Sequence, residues 1–162
     1  MTKHQIGDTD KFLWQRYVKA YNDFVEVSQE LYANAFNKVE LVRIGLNSSD
    51  GRSAAFNVLN NLGVEELQQL FDELLAFAAY SHGFTHIAHT LILSLPHGWL
   101  LSNIESYAEP ILETGDFETY RAILTLYSKI DTGLTQKLAY RAIKHENIDI
   151  QEAGEDFLKK LS

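Results

Sequence analysis

Cysteine is absent from the 162-residue chain, so no disulfide framework, thiolate metal site or thiol nucleophile is available to it. Proline occurs only twice, at Pro96 and Pro110, a scarcity that favours long uninterrupted helices. Basic residues are the minority. The 14 Lys+Arg stand against 22 Asp+Glu, a formal charge of −8, where a nucleic-acid binder would carry a basic face. Long apolar runs are missing too. The stretch from Leu74 to Ile104 holds no Asp, Glu, Lys or Arg, yet His82, His86, His89, Pro96, His97 and Asn103 interrupt it, so no membrane-spanning helix is expected. The opening residues from Met1 to Asp8 lack the apolar region of a signal peptide, and the expected location is cytoplasmic. Apolar residues nevertheless make up 46% of the chain, enough for a buried core.

What is present is helical periodicity, almost from end to end, with almost no strand alternation. A first helix starts near Asp8 or Thr9 and is read as running toward Gly45, with room for one break at a position the sequence does not fix, its apolar line passing through Leu13, Tyr17, Tyr21, Phe24, Ser28, Leu31, Ala35, Val39 and Val42. Phe12, Trp14, Tyr32 and Phe36 widen that stripe. The turn cluster Asn47-Ser48-Ser49-Asp50-Gly51 divides the chain, giving a long N-terminal helix over 1–46 and a helical-hairpin domain over 53–162. Within the second part the expected helices are a short one capped by Ser53 and ending at Leu62, with Gly63 as a left-handed C′ residue, then segments near 65–81, 85–94, 99–113, 117–129, 134–145 and 150–161. Gly63, Gly83 and Gly115 are helix punctuation; no two glycines make the G-x-G of a nucleotide-cradling loop.

The last sixty or so residues are faintly self-similar. Ile104 aligns with Leu138 and Ala108 with Ala142, while Tyr120 aligns with Ala153 and Leu124 with Phe157. The run from Leu112 to Glu118, followed by Ile123, Tyr127 and Asp131, resembles the turn and second helix of a tetratricopeptide repeat. It departs from that family at Tyr120, where a small residue is usual, and at Thr132, where proline is usual. The run from His145 to Leu158 is more similar to the second helix of a HEAT repeat, an acidic turn preceding a helix with a small residue, Ala153, facing its partner. The two resemblances compete and cover at most residues 95–162. They imply stacked helical hairpins, as a short α-solenoid or an irregular bundle, of the kind used to recognise proteins.

Candidate chemistry is sparse. His82, His86 and His89 have the i,i+4 and i,i+3 spacings that place imidazoles on one helix face, which is the arrangement a metal site uses. No Asp or Glu lies within eight residues of any of them, and packed or capping histidines are the competing reading. No H-E-x-x-H, E-x-x-H or G-x-S-x-G motif occurs. Two charged ridges remain. Glu105, Glu109 and Glu113 are spaced four apart, with Glu118 nearby, and Lys137, Arg141 and Lys144 form a basic counterpart one hairpin later. Either the ridges face one another as an internal brace, or the acidic one docks a basic partner.

The chain is therefore expected to be an all-α protein-interaction module of adaptor or regulatory type, in a bacterial cytoplasm, with no catalytic residues, cofactor or resident metal. Its partner would be another protein, one with a basic surface, meeting Glu105, Glu109, Glu113 and Glu118. Neither nucleic acid nor a membrane is expected. The N-terminal helix is read as a cap over the first hairpin or as a homo-oligomerisation element. Two alternatives are an acidic inhibitor or immunity-type protein, and a metal- or ligand-dependent enzyme built on the central histidines.

Overall fold

The structure, a computed structural model, describes residues 6–80 and 83–161. Among the described residues it contains ten α-helices and no strand: α1 Asp8–Asn34, α2 Lys38–Leu46, α3 Arg52–Leu59, α4 Val64–Gln69, α5 Phe71–Ala79, α6 Thr85–Leu93, α7 His97–Glu113, α8 Phe117–Ile130, α9 Thr132–Ala142 and α10 Ile148–Leu161. The protein is all-α with a long N-terminal helix. None of the described helices is long and apolar enough to cross a membrane. Two compact units divide the chain, Met1–Lys38 and Val39–Ser162.

The first unit is built on α1. Asp8 and Asp10 sit in its first turn, where the helix dipole favours negative charge. Ion pairs Lys11–Asp8 and Lys19–Asp23, each 3.0 Å, brace it along its length. A lone helix has no second element to bury its apolar stripe against, and none of the side chains of α1 is buried. The helix read as running toward Gly45 carries one break, whose position the sequence left open. α1 ends at Asn34, Ala35 turns extended (φ −75°, ψ 121°), and α2 begins at Lys38. Apolar periodicity continues through 35–42 and masked the break. Asn34 and Asn37 stand on either side of it, and asparagine is a weak helix former.

In the second unit α2 and α3 are held at close quarters. A Cβ on Gly45 would come within 2.9 Å of the Ala55 Cβ, so this glycine sits inside α2 as a contact point and does not end a helix. Ser48 Oγ accepts from the Gly51 N–H (3.2 Å) within the predicted turn. Gly63 also differs from expectation. No described glycine has positive φ, and Gly63 (φ −77°) opens α4, its N–H donating to Glu66 at 2.8 Å. Arg43 of α2 reaches α4 and α5 together: its Nε donates to Glu73, its Nη2 to the Gln69 carbonyl at 2.9 Å, and its Nη1 to Glu40 at 3.0 Å.

α8 organises the rest. It packs against α5, α6, α7, α9 and α10, and its Tyr120, Ile123, Leu124, Leu126 and Tyr127 are buried. Taken as hairpins, α7–α8 touches α5–α6 before it and α9–α10 after it, a pattern that stacked hairpins and an irregular bundle share. Aspartates start the two helices that matter most for the site: Asp116 accepts from the Thr119 N–H (3.0 Å) at α8, and Asp131 from the Leu134 N–H (2.9 Å) at α9. α10 packs on α9 through small residues. Ala153 is wholly buried, and a Cβ on Gly154 would meet the Ala139 carbonyl oxygen at 2.7 Å. Residues aligned across the self-similar segment, Ile104 with Leu138, Ala108 with Ala142, Tyr120 with Ala153 and Leu124 with Phe157, are all buried.

Candidate functional site

The acidic ridge stands on α7 and the basic ridge on α9, with α8 packed against both helices. Carboxylates four residues apart share one helix face and repel one another, so α7 gains from cations brought alongside. α9 supplies them. Lys137 Nζ lies 2.7 Å from Glu105 and Arg141 Nη1 2.6 Å from Glu109. The guanidinium holds the Glu109 carboxyl below its ordinary range, chiefly through that hydrogen bond. Together these residues rim a groove of ≈370 Å³ lined also by Leu112, Leu138 and the buried Tyr127. Desolvation, followed by the fields of Glu105 and Glu109, pushes the Tyr127 phenol up, out of reach of acid–base work near neutrality.

The third rung of the ladder does not form. α9 ends at Ala142, so Lys144 falls beyond the helix and is exposed without a charged partner among the described residues. Glu113 is left exposed in the last turn of α7, where its charge adds to the negative end of the helix dipole. Glu118 is exposed in the first turn of α8. Between them stands Asp116, whose carboxyl is kept ionised to low pH by the Thr119 backbone and hydroxyl hydrogen bonds. The predicted set thus separates into two kinds: Glu105 and Glu109 are engaged within the fold, whereas Glu113 and Glu118, around the α7–α8 turn, are exposed with no ion-pair partner among the described residues.

His86 and His89 are not exposed together. His86 is exposed, His89 is buried with its Nδ1 3.3 Å from Lys129 Nζ, and His82 lies outside the described residues. No group of three or more His, Asp or Glu placed to hold a metal occurs among the described residues. Sequence reasoning missed Arg121 altogether. It ties α8 to α10 through Asp156 at 2.7 Å, lies over the Phe117 ring at 5.0 Å, and with Glu118 lines a second hollow of ≈360 Å³. Its partner is 35 positions away and no periodicity connects them.

Charge is partitioned as sharply as structure. Of the 14 Lys+Arg and 22 Asp+Glu, five of each fall in residues 1–38, so the entire −8 belongs to residues 39–162. Comparison of the chain with protein-family models, curated proteins and solved structures returned no match.

Proposed function

We propose that this chain is a protein-interaction module of adaptor or regulatory type, without a catalytic role, whose unit 39–162 docks a protein with a basic surface. The observation that carries this reading is the partition of charge: all of the net −8 lies on one helical unit. Such a unit attracts a basic partner from a distance and accelerates encounter. At contact range the exposed carboxylates Glu113 and Glu118 are the residues to meet it. A cation placed over Glu113 would also quiet the C-terminal dipole of α7, a favourable exchange the fold itself leaves unmade.

The test is affinity capture at low salt with the full chain and with Glu113→Lys/Glu118→Lys, retained proteins being identified and quantified. The expected result is a basic protein held by the native chain and lost by the variant, with the same melting temperature for both. Retention of an identical set by both would remove these residues from the reading. The same acidity also suits an inhibitor of a basic protein, and assaying the captured partner's own activity with and without the chain separates inhibitor from adaptor. The histidine-centred enzyme finds less support, because one imidazole faces solvent and another is buried against a lysine.

A further inference from the structure

The apolar stripe of α1 reads the same in both directions. Along the helix face its residues are Asp10, Trp14, Tyr17, Tyr21, Phe24 and Ser28, at spacings of four, three, four, three and four. By chemistry the order is polar, four aromatics, polar. A surface with this symmetry is complementary to itself when a second copy is laid on it head to tail. We infer that α1 is a self-association element, two copies of the chain pairing antiparallel through this stripe about an axis near residue 19.

The register follows from the spacing. Turning one helix end for end places Trp14 against Phe24 of the second copy and Tyr17 against its Tyr21, so that four aromatic layers stack between the two helices. The same register sets Asp10, the charged residue of the stripe, beside Ser28 of the other copy. The Ser28 hydroxyl now donates to the Phe24 carbonyl of its own helix at 2.7 Å and is able to turn to that carboxylate. Parallel pairing would instead stack Asp10 on Asp10 inside an apolar seam, which is strongly unfavourable.

Charge along the helix supports the same orientation. Lys11, Arg16 and Lys19 lie in the half nearer the N-terminus, and Asp23, Glu26 and Glu30 in the half nearer the C-terminus. Past the first turn this order opposes the helix's own dipole, which favours acids early and bases late. An antiparallel neighbour resolves the conflict, since each basic half then lies along an acidic half. The unit as a whole carries five positive and five negative residues, and copies meet through α1 without the repulsion that two faces of the −8 unit would suffer.

The size is adequate. Trp14, Tyr17, Tyr21 and Phe24 are each half exposed or more. Covering four aromatics per chain, at ~150 Å² each, brings the pair to about 1,200 Å², where specific interfaces begin.

The experiment exploits the absence of cysteine. Full-length Trp14→Cys and Phe24→Cys proteins are prepared separately, and each is oxidised alone and in an equal mixture. Antiparallel pairing gives a disulfide-linked dimer in the mixture and little from either protein alone. Parallel pairing gives it from each alone and overturns the inference. Sedimentation equilibrium of the unmodified chain is the independent reading. It should show a monomer–dimer equilibrium that Tyr17→Glu/Tyr21→Glu weakens by ~100-fold or more with helix content retained. A native chain that stays monomeric at about 100 µM overturns the inference and gives the stripe to another occupant.

Discussion

His89 shows what a single buried side chain does to this fold. Its Nδ1 faces the Lys129 ammonium at 3.3 Å, an arrangement that requires a neutral ring accepting at Nδ1 with its proton on Nε2. Burial first, then the Lys129 charge and the neighbouring His86, hold its pKa below the ordinary value near 6.5. The sign of the consequence is fixed. The unfolded chain binds a proton that the folded chain refuses, so stability is complete above that ordinary value and is lost as pH falls below it. Melting temperature should therefore decline between pH 7 and pH 5, and decline less steeply in His89→Leu. Equal slopes for the two proteins would show that the imidazole is not the group responsible. The i,i+3 spacing of His86 and His89 suggested one shared helix face, but the first imidazole is exposed and the second buried. The partner that decides the role of His89 was not legible, because Lys129 stands 40 positions away.

At the scale of elements the two ridges make a sharper test. Glu105 and Glu109 are paired with Lys137 and Arg141, but all four side chains remain more than a third exposed, so each pair is worth only ~0.2–1 kcal/mol. Glu105→Lys/Glu109→Lys should lower the melting temperature by a few degrees at low salt, and less at high salt as the Debye length shrinks. Adding Lys137→Glu/Arg141→Glu should restore it. Glu113→Lys should leave stability unchanged or slightly improved, because the charge at the α7 C-terminus is then reversed in the favourable sense. Thermal melts of the four proteins at two salt concentrations check this, and a failure of the reversed pair to rescue would count against the ladder. The ladder could be read from four-residue spacing alone. Its end could not, because nothing in Ile143-Lys144 announces that α9 stops at Ala142.

For the whole molecule the informative place is the junction of the units. Phe36 lies between the end of α1 and the start of α2 and is fully exposed. Brief chymotrypsin digestion should cut first after Phe36, leaving a product that begins at Asn37, as mass spectrometry of the earliest fragments would show. First cuts inside 39–162 would contradict the division into units. The sequence placed helices α6 to α10 to within a few residues, since proline, glycine and turn residues bound them. It failed where packing acts against pattern. Residues 65–81 read as one helix, yet α4 and α5 part at Leu70, a wholly buried residue (φ −110°, ψ 16°). α8 carries the last consequence. Here five helices lean on a single one, and stripping away α10 or α5 removes a wall of the same helix. Helices α5 to α10 therefore share one central wall, and loosening either end of that set exposes it, so these six are expected to melt together.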